Sequence, residues 1–586
     1  VATFADGDTA AADRKFYDVA ERYLDGTLRF FPTQASILGY HKYDGSLEDL
    51  SAAGVQKTTE AYKRFQKELL GVDRSKLGVS AQVDRDLLVQ DCEATLFTWG
   101  SLRPFERNPL FYNDLLGNGT LFITQLSPEA PEFPARMESL VARMKRIPAL
   151  LDQASKNLKN PADVQTRLCI ALNPGNIEFF EKVLPPLAEK VPPRKDEALR
   201  EGAKVIAALR SYGKWMETDL LPRSRGDWRL GGELWTKKLR YALASDLTPE
   251  EIIRRAQEKL KKDREEMLTV ARPLHDRFFP DHHHEEKGED LINVVVRETL
   301  AKLAESHSRP ETLFIDVREK WIPKILAFIR KSDLIGLPPG NDNFVVEPTP
   351  AFLDGVAPAF FNSAPAFEPE LKKSFWVSSV PRGAGPEESA KITESYLREY
   401  NDYGLQSLVI HEAFPGHYVQ SWYALSSPMA TIYKKVFASG TFAEGWAVLA
   451  EEEMFTHGFS DADPANYLVH KKFDLRVSMN ALLDSKLHTG GMSDEEVDRW
   501  AMDLLTRYGF QEEAEARGKL RRAKITATQL STYFVGFMEL NDLLQDAKAR
   551  EGEAFSLRRF NERLLSFGTI PPRDVRRLMF APVPPK

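Results

Sequence analysis

At 586 residues the chain is long enough for a large buried core and for more than one lobe. Its formal net charge of -7 argues against non-specific nucleic-acid binding, which needs a basic surface to displace phosphate counterions. No uninterrupted apolar run approaches the roughly 20 residues that span a bilayer, so no membrane span is expected. With two cysteines, Cys92 and Cys169, at most one disulfide can form and a thiolate-rich zinc site is excluded. Any metal must be held mainly by histidine and carboxylate.

The chain opens with Val1 and a small, polar stretch, Ala2 to Asp13. That stretch fits the tail left by signal-peptide removal or a trimmed terminus, and makes an extracytoplasmic location (periplasmic or secreted) the expectation, with a cytoplasmic one as the alternative. Phe16, Val19, Ala20, Tyr23, Leu24 and Leu28 then recur on one helix face, and Pro32 closes the segment. Thr248-Pro249-Glu250-Glu251 is a capping box that opens a long charged helix towards Leu268. The run Asp281-His282-His283-His284-Glu285-Glu286 reads as a polar surface loop rather than a metal site, because adjacent histidines fan out in different directions. From about Gly336 to Gly385 proline and short β-type pieces dominate, among them Asn343 to Val346 and Ser374 to Val377. A small sheet or a pair of extended strands is expected there. The aromatic-rich stretch Phe352 to Trp376 reads as core, although an edge strand in it could pair with an extended peptide. Ser493-Asp494-Glu495-Glu496 caps another helix, with Val497, Trp500, Ala501, Leu504 and Tyr508 as its buried stripe and Gly509 at its end.

The whole is predicted to be mainly α: a large two-lobed helical protein with a deep cleft and a small β element. Residues 1–335 form an N-terminal helical lobe, 336–390 a β-containing segment bordering the cleft, and 391–586 a C-terminal helical region that carries the chemistry.

That chemistry is concentrated in Leu408-Val409-Ile410-His411-Glu412-Ala413-Phe414-Pro415-Gly416-His417. A zincin helix normally reads H-E-x-x-H, because residues four apart share a face. Here the second histidine arrives six residues after the first, and six steps on an undisturbed helix leave the two side chains about 120° apart. Pro415-Gly416 resolves the difficulty. Proline cannot donate the bond that the His411 carbonyl would receive, it disfavours helical geometry at Phe414, and glycine adds backbone freedom. A broken turn there would bring His417 back onto the face of His411. The third ligand should be a carboxylate, since two histidines, one glutamate and a water make a catalytic zinc set. Glu444, in Gly440-Thr441-Phe442-Ala443-Glu444-Gly445-Trp446-Ala447, lies among small and apolar residues where an unpaired carboxylate would be costly to bury. Glu451, seven residues on, lies on the same face and could orient a histidine ligand through its free ring N–H.

H-E-x-x-P-G-H followed some thirty residues later by E-G-W-A resembles the bacterial domain-of-unknown-function family eight-eight-five. The similarity extends to Arg22 to Pro32, Leu38-Gly39 and His41, to Asp484 through His488 ahead of Gly491-Met492-Ser493, and to Gln529 through Tyr533 with Gly536. This chain departs in having Ala527-Thr528 where family members often carry proline and glycine. The family is placed with gluzincin-type metallopeptidases, alongside the helical thimet-oligopeptidase and thermostable-carboxypeptidase groups. The resemblance therefore implies a zincin-like fold, one Zn²⁺ on His411, His417 and Glu444, and Glu412 as general base. Related helical gluzincins place a late tyrosine over the metal, which makes Tyr533 the candidate donor to the oxyanion. His488 is a candidate proton donor and Arg522 a candidate clamp for a substrate carboxylate. His41, His275, His307, His457 and His470 are read as structural or exposed. Cobalt or manganese would also suit the ligands.

The expected activity is hydrolysis of peptide bonds in short peptides, of carboxypeptidase, dipeptidase or oligopeptidase type. A metallohydrolase of non-peptide amides or esters and a non-catalytic metal-binding protein are the rivals. Glu412 speaks against the second, since a pure binder needs no base beside its metal. No G-x-S-x-G elbow or P-loop supports serine-hydrolase or nucleotide chemistry.

Overall fold

Caps and periodicity decide most of the secondary structure. The computed structural model describes residues 7–581 apart from 341, 351–356 and 384; part of the polar leader and of the Phe352–Trp376 stretch thus lies outside the described residues. The first helix, Gly7–Phe30, buries the expected face, with Phe16, Ala20, Tyr23 and Leu28 withdrawn from solvent. It stops just before Pro32, which opens the next helix, Pro32–Ile37, where its missing N–H is no loss. Thr248 Oγ1 accepts the Glu251 amide at 3.2 Å and starts a helix, Pro249–Phe278, that runs well past Leu268. Ser493 and Glu496 form both halves of their capping box ahead of helix Asp494–Met502.

The β element is a three-stranded sheet of β1 (Phe344–Pro348), β2 (Ala359–Asn362) and β3 (Lys373–Val377), in the order β1-β3-β2. β3 is parallel to β1 and antiparallel to β2, with Phe361 opposite Phe375. The expectation of a small sheet holds, and the protein is mainly α.

Packing crosses the boundary expected at residue 335. Trp235, Leu239, Ile325 and Ile329 share one core with Phe375, Val409, Ile410, Trp446 and Leu540, so the helices Gly232–Leu243 and Ile322–Ser332 support the C-terminal region directly. A separate core gathers residues between Leu50 and Leu220, another forms around the first helix, and a third lies beneath helices Pro249–Phe278, Gly288–Leu303 and Pro464–Thr489. Cys92 and Cys169 sit in different cores, both buried and both free. The fully buried pair Lys434–Asp84, 2.6 Å apart, ties helix Val79–Phe97 to the C-terminal half.

Two helices that matter for the site, Gly440–Thr456 and Ser531–Glu551, touch backbone to backbone. A Cβ on Gly536 would lie 1.9 Å from the Thr441 carbonyl, and one on Gly445 would lie 2.4 Å from the Gly536 carbonyl carbon. Only glycine permits that approach. It sets Glu444 and Tyr533, each close to the crossing, on facing helices.

Candidate metal centre

His411 and Glu412 occupy the last turn of helix Gly404–Glu412, and His417 begins the next, His417–Ser426. Between them the chain leaves helical geometry, as Pro415 dictates. The Gly416 amide reaches back six residues to the Ile410 carbonyl at 2.9 Å, and Trp446 Nε1 donates to the Pro415 carbonyl at 3.0 Å. The loop folds so tightly onto the preceding turn that a Cβ on Gly416 would sit 1.8 Å from the His411 carbonyl. The interruption turns the two imidazoles towards each other, with centroids 4.8 Å apart.

Glu444 closes the group from the facing helix. Its Oε2 lies 3.4 Å from His411 Nε2 and 3.5 Å from His417 Nε2. One ligand atom from each residue lies within 4.8 Å of the others. Glu451 Oε1 holds His411 Nδ1 at 2.8 Å, which leaves Nε2 facing the cluster, the arrangement by which a carboxylate fixes a metal-binding histidine. Glu444 Oε2 is buried without a hydrogen-bond partner. Burying such an anion costs several kcal/mol unless a cation offsets it. Burial pushes the Glu444 carboxyl up, but His411 and His417 overcome this and hold it well below the usual carboxylate range. Donor types, spacing and the orphaned oxygen all fit a divalent metal of zinc type, whose tetrahedral ligands at ~2.0–2.1 Å stand about 3.3 Å from one another.

Glu412 Oε2 accepts the Phe361 amide of β2 at 3.0 Å. Burial raises its carboxyl pKa and Glu444 adds to the effect, against the pull of His417 and His411. Tyr533 stacks beside His411 with centroids 6.3 Å apart, and burial together with Glu444 raises its phenol pKa. Arg522 donates to Tyr533 Oη at 3.0 Å and to Gln529 Oε1 at 2.9 Å. His411, Glu412, His417, Glu444, Arg522 and Tyr533 face a cavity of about 400 Å³ that Arg476, Asn480 and Lys519 also line. Burial, aided by Arg522 and Arg476, pushes the Lys519 ammonium down to about 7.

The structure thus brings together His411, Glu412, His417, Glu444, Glu451, Tyr533 and Arg522. His488 requires a correction. Its ring is buried against Trp228 and its Nε2 is bonded to the Ala523 carbonyl at 2.9 Å, away from the cavity, so it cannot deliver a proton there. His41 is likewise held between Asp44 and Glu368, and His457 against the Glu453 carbonyl. Sequence reasoning missed Lys519 and Arg476. Lys519 is detectable as the residue three before Arg522 on one helix face; Arg476 sits on a helix buried on all sides and has no such signal.

Fold and site define a mainly helical protein whose central cavity holds a two-histidine, one-glutamate cluster with a further glutamate beside it. The chain belongs to the family described as "Bacterial protein of unknown function (DUF885)", whose model matches residues 32–579. Among solved structures it is similar to a candidate lipoprotein of unknown function from Shewanella oneidensis, with 28% identity, TM-score 0.78, and coverage of 96% of this chain and 99% of that one. It also shares the fold of a candidate lipoprotein from Colwellia psychrerythraea, at 16% identity and TM-score 0.75, covering 97% and 98%. No curated protein matches it. Among the described residues, no helix is long and apolar enough to cross a membrane.

Proposed function

We propose that the protein is a zinc-dependent metallopeptidase, gluzincin-like in its ligand set, that hydrolyses short peptides. The observation that carries this reading is a buried, unpartnered Glu444 oxygen lying between two imidazole nitrogens, with the carboxylate of Glu412 beside them. Zinc, when held by His411, His417 and Glu444, supplies Lewis acidity that polarises a carbonyl and acidifies a water.

The chain's own groups provide the rest. Glu412, fixed by the Phe361 amide, accepts the proton of the attacking water and passes it to the leaving amine. Tyr533 donates to the carbonyl oxygen as negative charge develops on it. Arg522 has five N–H donors, only some of them engaged by Tyr533 and Gln529, and offers a permanent cation suited to a peptide's terminal carboxylate, with Lys519 lining the same cavity. Strand alternation turns the Ala359 backbone to the same side as the Phe361 amide, so the free edge of β2 offers an extended peptide a partner along the cavity. An extracytoplasmic site of action is part of the same proposal, and the description of both solved relatives as candidate lipoproteins supports it.

The test is elemental analysis paired with turnover of short peptides, with free and with blocked termini, by the wild type and Glu412→Gln. The variant should keep its metal and lose turnover by ~10²–10⁴-fold. Unchanged turnover would remove Glu412 from the mechanism, and a wild type that cleaves no peptide would turn the reading towards another amide or ester.

A further inference from the structure

A second group of metal-type donors lies where the sequence suggests only a polar loop. Helix Pro249–Phe278 leads through residues 279–287 into helix Gly288–Leu303. His275, from the last turn of the first helix, meets His282 and His284 from the loop and Glu298 from the second helix. His275 Nε2 lies 2.8 Å from Glu298 Oε2, His282 Nδ1 3.1 Å from the same oxygen, and His284 Nε2 3.5 Å from it and 3.2 Å from His275 Nε2. Ligand atoms of all four residues fall within 4.8 Å of one another. The histidine run does fan out, since His283 is exposed, but His282 and His284 both reach the Glu298 carboxylate. His275, expected to be structural or exposed, is 1% exposed and aims its Nε2 into the cluster.

Three imidazole nitrogens crowding one carboxylate oxygen make a poor hydrogen-bonded group, because a neutral imidazole has one N–H to donate and needs a donor for its other nitrogen, which a carboxylate cannot supply. They make a good coordination shell. The four nearest separations, 2.8 to 3.5 Å, bracket the ~3.3 Å edge of a tetrahedron with 2.0–2.1 Å metal–nitrogen bonds. We propose that His275, His282, His284 and Glu298 form a second metal site, for a zinc-class divalent ion. Three imidazoles and one carboxylate suit zinc, copper or nickel rather than calcium or magnesium. Four protein ligands leave no open position, so the ion is structural: it clamps the 279–287 loop to both helices it joins. The four residues share no member with the His411–His417–Glu444 cluster and none lines its cavity.

The test uses the full chain, stripped with chelator, reloaded with zinc, passed through gel filtration and submitted to elemental analysis. Wild type should retain two equivalents and His282→Ala/His284→Ala one, with the double variant's peptide turnover unchanged. His411→Ala/His417→Ala should retain one, and all four substitutions together none. The proposal is overturned if His282→Ala/His284→Ala retains as many equivalents as wild type, or if the equivalent in His411→Ala/His417→Ala survives loss of His282 and His284. Should His411→Ala/His417→Ala fail to fold by circular dichroism, the comparison of wild type with His282→Ala/His284→Ala decides alone. Metal content separates this outcome from that of the hydrolase reading, which turnover reports.

Discussion

The two histidine–glutamate clusters are built on opposite plans. In the cavity, the groups around Glu444 have partners behind them: Glu451 holds His411, the Phe361 amide holds Glu412, and Trp446 pins the loop that delivers His417. Glycine contacts at 416, 445 and 536 then fix the spacing through the backbone. At the 279–287 loop the members mainly hold one another, and the His282 side chain is 50% exposed. Supporting groups keep a site formed without its ion, as chemistry requires, whereas a self-supported surface cluster owes much of its order to whatever it binds.

That contrast can be broken most forcefully at Gly416. Gly416→Ala should displace the His411–His417 turn and abolish both metal retention at the cavity and peptide turnover, while the ion on the loop cluster remains; unaltered metal content would show that the tight turn is dispensable. Tyr533→Phe should lower kcat by ~10²–10³-fold with metal content intact, the usual cost of losing an oxyanion donor, and single-turnover kinetics would expose a smaller effect. Glu451→Gln should weaken zinc binding in the cavity by ~10–100-fold in competition with a chelating dye, and leave the loop cluster's affinity alone. The last prediction concerns the scaffold. Burial pushes the Glu453 carboxyl up to about 8, against an opposing bond from Asn561. Its proton is held more tightly in the folded than in the unfolded chain, so stability falls as pH rises from about 4.5 to about 8, by at most ~1.4 kcal/mol per pH unit. Glu453→Gln, which keeps an acceptor for Asn561, should therefore melt above wild type by a margin that grows over that window; a constant margin would show that Glu453 does not titrate there.

The cavity cluster is legible in the sequence because its irregularity is: a proline and a glycine between two histidines announce a broken turn, and Glu444 is conspicuous as a lone acid among small and apolar residues. β2 is not legible, since Ala359–Asn362 is four residues long and has no alternation to separate it from loop. The helix Pro464–Thr489 hides Arg476 in another way. Its charges are buried as ion pairs, Lys471 with Asp474 and Arg476 with Glu399, so no polar face marks which charge reaches the cavity. His488 looked equally available in one dimension, and only packing against Trp228 tells it from a proton donor. The loop cluster escaped because two of its four members come from helices on either side of the histidine run. Packing across residue 335 is hidden for a related reason, as helices before and after it bury their apolar stripes against each other.

One contact in the cavity gives the proposed reaction a direction. Arg522 permanently carries its protons, so the Tyr533 oxygen it points to is occupied as an acceptor on that side. The phenolic hydrogen is thereby turned away from the guanidinium, and a carbonyl entering from the His411 side meets a donor already aimed at it. Replacing Arg522 with a neutral residue would leave that hydroxyl only the longer bond from Gln529 Nε2, at 3.5 Å, so the guanidinium acts as a compass for its neighbour.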